Sequence, residues 1–459
     1  MSTSYPLFIL LAGLVVVVGG IVILRMHAFL ALICAATVVS LLAPGAWGDK
    51  IPRVAEAFGS TAAGVGIVIA LAAIIGMAMT ASGAADRIVR AFLRLFGERQ
   101  GGTVLMASGF TLAIPVFFDT VFFLLVPLVR SMYRRTGKHY LKYLLAAASC
   151  AVAHALVPPT PGPLLVASTL GVDLGVMLLV GTAVALPAAL ASLVFAAWAD
   201  RRIRVTPPPP LALPSSVVGR DELPLPGFGW SIAPVLVPVL LITANTILRA
   251  LDGGALAERH PGAAGLLAVL GNPQFALLLA AFIALWTWWR HCRPSAPELS
   301  DAVGEALMAG GVIVLITCAG GAFGGALRAA GLAPAIESVA GTAATGGYGL
   351  LLLAFGVSAL LKFAQGSSTA AMIVTSAMIA AMIDPAMLGY HPVYVGTAIG
   401  SGSLVGSWMN DSGFWIFARM GGLSEMETLK TWTPLLALLG AVSMLMTLLL
   451  AALLPMAPA

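Results

Sequence analysis

The sequence predicts an all-α polytopic membrane protein made of two inverted-topology repeats, each with five transmembrane crossings, one of them broken, and one re-entrant hairpin. Three observations carry this. The 459 residues are 60% hydrophobic and 9% charged, far below the roughly 25% charge of soluble domains. Apolar blocks recur along the whole chain, at the roughly 20-residue length that a helix needs to cross a bilayer. Landmark residues in the two halves also fall at near-constant spacing. The net charge of +5 does not point to nucleic acid, because the basic residues sit in short loops between apolar blocks, where they report topology.

Apolar blocks lie near 6–24, 26–43, 56–81, 104–129, 141–157, 164–199, 230–251, 265–290, 305–328, 348–383, 391–409 and 431–455. The first has no Lys or Arg before it and Arg25 after it, which reads as a retained span rather than a cleaved leader. The 36 residues of 348–383 would run about 54 Å as one helix, against a hydrocarbon core of about 30 Å. That block must therefore turn back. Its centre, Gln365-Gly366-Ser367-Ser368-Thr369, combines a permissive Gly with hydroxyls that can satisfy freed backbone groups. Block 104–129 is interrupted in the same way by Pro115 and by Phe117, Phe118 and Asp119. Treating both as hairpins places all but six of the 24 basic residues on the cytoplasmic side; the six are Lys50, Arg53, Arg249, Arg259, Arg328 and Lys362. A spanning first hairpin would instead put Arg87 to Arg99 and Arg130 to Lys142 on opposite faces, against the positive-inside rule.

The repeat rests on ordered landmarks. Ser82-Gly83-Ala84 matches Ala330-Gly331-Leu332 at a spacing of 248, Pro115 precedes Gly366 by 251, and Gly162 precedes Gly413 by 251. An odd number of crossings per half inverts the second half and puts a substrate site at the repeat interface near the midplane. The division is then 1–199 for the first repeat, with scaffold spans 6–81 and a hairpin with transport helices at 104–199. A Pro-rich cytoplasmic linker follows at 200–229. The second repeat is 230–459, with scaffold spans 230–328 and a hairpin with transport helices at 348–455. All mid-membrane polar breaks fall in the later part of each half, as suits a transport domain sliding against a fixed scaffold. Amphipathic stretches near 86–99 and 332–341 are the expected hinges.

Acidic residues deep in a membrane mark ion or proton paths by default. Asp119 sits at the first hairpin tip among Phe117, Phe118, Phe122 and Phe123. Desolvation there would suit it to carry a proton, and capping of the return limb is the alternative. Asp411, in Asn410-Asp411-Ser412-Gly413, either serves the site or N-caps a short helix from Phe414. His154 precedes Val157-Pro158-Pro159-Thr160-Pro161-Gly162-Pro163, a four-proline run that cannot be regular helix and so lines protein or a cavity. Its imidazole either takes part in proton coupling or is a packed residue. Lys362 is the one basic residue in a mid-membrane block. It pairs with a substrate carboxylate, pairs with an acidic side chain, or snorkels. The hydroxyls of Thr120, Ser367, Ser368, Thr369, Ser401, Ser403 and Ser407 offer donors beside half-helix ends. The candidate binding set is therefore Thr120, His154, Thr160, Gly162, Lys362, Gln365, Gly366, Ser367, Ser368, Thr369, Ser403, Ser407, Asn410 and Asp411, with Asp119 and His154 for proton coupling.

No metal or cofactor is expected: Cys34, Cys150, Cys292 and Cys318 are far apart and read as packing residues. No HExxH, Walker A or GxSG sequence points to an enzyme.

The stretches IPVFFDTVFFLLVPL (114–128), AHALVPPTPGPLLVA (153–167), KFAQGSSTAAMIVT (362–375) and GTAIGSGSLVGSWMNDSGFWIF (396–417) resemble the signature regions of the gluconate:proton symporter (GntP) family of the ion transporter superfamily. The resemblance covers nearly the whole chain. It implies proton-coupled uptake of gluconate or a related sugar acid across the inner membrane on a scaffold-plus-transport-domain fold, with the scaffold spans of a homodimer in contact. It sets Asp119 where the family has an acidic residue, His154 where it has His, and Lys362 where it often has Arg. Thr160 stands where the family commonly has a His. Neither hairpin tip carries the Ser-Asn-Thr of the superfamily's sodium-driven carboxylate carriers, which favours protons over sodium. A D-serine or short hydroxy-acid symporter and a sodium-coupled carboxylate carrier are the alternatives within transport, and a passive channel is the alternative outside it.

Overall fold

A computed structural model describes residues 4–97, 100–205, 225–252, 261–331, 347–383, 388–409 and 411–456. Helix is the regular structure throughout these residues. Seven helical stretches among them are long and apolar enough to cross a bilayer.

The first half opens with α1 (Ser4–Val18), drawn out by a π-helical turn, then α2 (Ala28–Leu42) and the 32-residue α3 (Lys50–Ala81). Lys50 does not lie in a loop. Its buried ammonium donates to the carbonyls of Leu41 and Ala43 and so closes the C-terminal end of α2. Gly83 and Gly97, at φ 74° and 75°, bound the amphipathic α4 (Ala84–Phe96). Its apolar face, with Ile88 and Val89, packs inward. The break expected around Pro115 separates α5 (Gly101–Leu112) from α6 (Phe118–Thr136). Then come α7 (Tyr140–Ala148), α8 (Ala151–Leu156), α9 (Pro161–Leu170) and α10 (Leu174–Arg202). Of the four-proline run only Pro158 and Pro159 lie in the gap between α8 and α9; contrary to expectation Pro161 and Pro163 are helical, in the first turn of α9, where a missing amide proton leaves no intrahelical bond unmade. Gly171, at φ 67°, turns the chain out of α9, and Asp173 caps α10 through the Gly175 and Val176 amides at 2.8 and 3.1 Å.

The second half begins with α11 (Phe228–Asp252), α12 (Pro261–Leu270), α13 (Pro273–Cys292) and α14 (Ala296–Ala329), the last opened by a reciprocal Ser295–Glu298 capping box. Next are α15 (Tyr348–Gln365), α16 (Ser368–Ala380), α17 (Val393–Gly402), α18 (Ser412–Gly421) and α19 (Glu425–Leu453). The break between α15 and α16 falls where the glycine predicts it: Gly366 adopts φ 81°, Ser367 caps α16, and the two limbs pack together. The second amphipathic stretch, 332–341, and most of the Pro-rich linker, 206–224, lie outside the described residues.

Small residues let these helices approach closely, as membrane packing requires. In α14 the glycines serve two faces. A Cβ on Gly321 would lie 1.9 Å from Thr61 Oγ1 of α3, and one on Gly320 would lie 1.8 Å from Ile373 Cγ2 of α16. Thus α14 packs on α2 and α3 on one side and on α9 and α16 on the other. At its C-terminal end α18 is held by residues of the first half: Arg130 donates to Met420 O at 2.6 Å and Tyr140 Oη to Gly421 O at 2.8 Å.

Candidate functional site

Helix starts from both halves of the chain meet around one half-open cavity of about 490 Å3. Phe117, Phe118 and Asp119 enter it from the start of α6, Pro161 from α9, Ser367 to Ala370 from α16, and Asp411 to Gly413 from α18. His154 and Ala155 of α8 line it too. Apolar walls come from Ile313 and Ile316 of α14, Ile416, and Trp432 and Leu436 of α19. A helix N-terminus carries the positive end of the helix dipole, which favours an anion; the Thr120, Ala370 and Gly413 amides at three of these starts are already held by Asp119, Ser367 and Asp411.

Beneath the α16 and α18 starts lies a buried polar cluster. Lys362, 1% exposed, places Nζ 2.6 Å from Asp411 Oδ2 and also 2.6 Å from Gly366 O. Asp411 accepts in addition from the Ser407 hydroxyl and, at 2.9 Å, from the Gly413 amide, which makes it the N-cap of α18. Ser407 in turn accepts from Trp432 Nε1 at 2.6 Å. Of the three partners expected for Lys362, the structure supplies the acidic side chain. Asp411 both caps its helix and pairs, and the helix starts at Ser412 rather than Phe414.

The remaining candidates divide by place. Asp119, His154, Ser367, Ser368, Thr369 and Asp411 line the cavity. The desolvated setting expected for Asp119 is not found. The residue is exposed, and Phe122, the fully buried member of that aromatic group, packs against Phe417 with ring centroids 5.6 Å apart. His154 keeps Nδ1 buried with no hydrogen-bond partner among the described residues, while Phe117 meets its ring edge-on at 6.2 Å. Such an orphaned polar atom beside a cavity is what a ligand or water would satisfy.

The others stand behind the wall. The Thr160 hydroxyl is spent on His154 O and Val157 O at 2.9 and 2.7 Å, bracing the proline loop. Gly162 is packed so closely on Met372 that a Cβ would lie 2.0 Å from its Cε. Ser403 donates to Gly400 O, and its own carbonyl accepts from Ser368 Oγ at 2.8 Å. Ser401 bonds back to Thr397 O. Thr120 lines a neighbouring cavity with Val116 and Thr80. Gln365 ends α15, and Asn410 lies outside the described residues. The sequence reading missed Trp432. An indole in a long apolar span carries no local mark of a role, and its partner Ser407 is 25 residues away.

The family profile described as GntP family permease matches residues 5–454. The chain belongs to this family. The permease is 35% identical to a gluconate permease of Pseudomonas aeruginosa over 455 residues, covering 97% of this chain and 98% of the relative. It is 31% identical to a low-affinity gluconate transporter of Escherichia coli over 424 residues, covering 91% and 92%. A further relative, 31% identical over 460 residues, is an inner membrane permease of the same species. In fold it is similar to the crystal structure of the YdaH transporter of Alcanivorax borkumensis, with a TM-score of 0.62, 14% identity, and 94% and 98% of the two chains covered. The permease is thus a multi-pass inner-membrane transporter and not an enzyme.

Proposed function

We propose that this permease takes up gluconate or a closely related sugar acid together with protons, by secondary active transport. The observation that carries the reading is the meeting of helix starts from both halves of the chain on one cavity. Its size of about 490 Å3 falls in the roughly 300–1,000 Å3 range of small-molecule sites. The positive ends of the helix dipoles suit a carboxylate, and the Ser367, Ser368 and Thr369 hydroxyls suit a polyol chain. Relatives named for gluconate and, at 28% identity, for L-idonate support the same class.

In this reading coupling comes from Asp119 at the rim, whose exposed carboxylate accepts from the Thr120 amide at 2.9 Å and forms no ion pair among the described residues. A substrate carboxylate held about 4 Å from an ionised Asp119 would be repelled by about 4 kcal/mol at an effective dielectric constant near 20. That equals roughly a thousandfold loss of affinity. Protonated Asp119 removes the repulsion, so substrate and proton bind together. Asp411 cannot play this part without breaking its bond to Lys362. In this reading α5–α6 and α15–α16 are re-entrant hairpins of two inverted repeats. They move with α7–α10 and α17–α19 as an elevator past α1–α3 and α11–α14.

A binding screen tests the substrate class. Purified permease titrated calorimetrically with gluconate, L-idonate, glycerate and D-serine is expected to bind the six-carbon acids best. Preference for D-serine or glycerate would overturn the sugar-acid assignment.

A further inference from the structure

A further cavity, of about 690 Å3, opens beside the exposed face of α10 and shares no lining residue with the candidate substrate site. Three cations border it: Lys142 near the start of α7, and Arg201 and Arg202 at the end of α10. Its apolar wall is Leu193, Val194, Ala197 and Trp198. The wall continues an outward stripe along α10. Leu186, Leu190, Val194 and Trp198 recur at four-residue steps and are 44%, 49%, 74% and 53% exposed, which is one helical face. Arg201 and Arg202 follow directly below it. Lys142 is set by packing, since a Cβ on Gly102 of α5 would lie 3.3 Å from Lys142 Cε. The nearby Asp200 offsets one charge and leaves the group net positive, three cations against one carboxylate. Its carboxylate accepts from the Lys142 amide at 3.2 Å and pairs with His139 at 2.7 Å, and none of the three cations forms an ion pair among the described residues.

We infer that this cavity binds the headgroup of an anionic phospholipid, whose acyl chain lies along the Leu186–Trp198 stripe. An apolar groove on a membrane-facing helix takes a hydrocarbon chain. A ring of unpaired cations at its end takes a phosphate, and an exposed Trp at that level marks the interface. A free anion would use the cations and leave the groove idle, whereas an uncharged lipid would do the reverse. The lipid answers both features and ties the ends of α5, α7 and α10 together.

The test uses full-length purified permease in mild detergent, with bound lipid counted by native mass spectrometry and thermal stability followed in parallel. Dioleoylphosphatidylglycerol, dioleoylphosphatidylcholine and inorganic phosphate are titrated separately. Phosphatidylglycerol is expected to bind saturably and raise the melting temperature. At about 1 kcal/mol per surface cation, Arg201→Gln with Arg202→Gln should weaken it roughly thirtyfold. Trp198→Ala should weaken the lipid as well. Arg134→Gln with Lys138→Gln, an equal charge change elsewhere on the surface, should shift it less than about twofold. Equal binding of phosphatidylcholine would overturn the headgroup assignment. Equal protection by phosphate would make this a free-anion site, and unchanged phosphatidylglycerol binding by the double Arg variant would refute the cavity as the locus.

Discussion

Lys362→Met removes the ammonium that faces Asp411 and leaves a carboxylate 7% exposed with only the Ser407 hydroxyl and the Gly413 amide for company. Breaking a buried pair in this way costs about 3–5 kcal/mol, because the survivor stays desolvated and uncompensated. Asp411→Asn is expected to cost a similar amount for the mirrored reason: Lys362 would keep only Gly366 O. Asn is itself a good cap, so the start of α18 should survive. The double variant strips both charges and should be less damaging than either single, giving a coupling of about 3 kcal/mol or more. The assay is reversible unfolding in mixed micelles of increasing dodecyl sulfate content, followed by tryptophan fluorescence, with all four proteins compared as a double-mutant cycle. If the two single costs add to within about 0.5 kcal/mol in the double variant, the groups are not coupled. A Lys362→Met protein of unchanged stability but weakened substrate binding would point instead to an ammonium reserved for substrate.

Three further outcomes are expected. Asp119→Asn should abolish accumulation driven by a pH gradient while leaving substrate counterflow within about threefold of the parent, and counterflow lost together with accumulation would make Asp119 a binding group instead. Gly402→Ala should destabilise the permease by at least about 1–3 kcal/mol, because the new Cβ would lie 2.2 Å from the Phe355 backbone oxygen; wild-type stability in the same micelle assay would show that α15 and α17 separate easily. In a cysteine-free background, a disulfide between Gly320→Cys and Ile373→Cys, which face each other across α14 and α16, should stop transport by more than about tenfold and be relieved by reductant, and unimpaired uptake when crosslinked would exclude sliding at this contact.

What the sequence disclosed was mainly where helices cannot continue. Pro115, the Pro158-Pro159 pair and Gly366 each impose a local backbone constraint, and the chain breaks at each of them, whereas Pro161 and Pro163 open α9 instead of ending it. Asp411 was legible as a cap because a short polar side chain before an apolar run has few other local uses. Pairings across the fold were not legible. The 49 residues between Lys362 and Asp411 and the 290 between Arg130 and Met420 carry no periodicity that would tie them. Asp119 shows the converse error: Phe neighbours in sequence were read as an apolar shell, yet Phe122 is packed against Phe417, Phe123 is exposed, and the Asp119 carboxylate itself lies exposed at the cavity.

Proteoliposomes loaded at neutral pH and diluted into acidic medium with radiolabelled gluconate test the coupled-transport reading most directly. Parent permease is expected to accumulate gluconate above the external concentration, to lose that gradient when an uncoupler is added, and to acidify the lumen, measured with an internal pH dye, only when gluconate is present. Gluconate entry that merely equilibrates, or accumulation that persists with the proton gradient collapsed, would contradict proton-coupled uptake through this cavity.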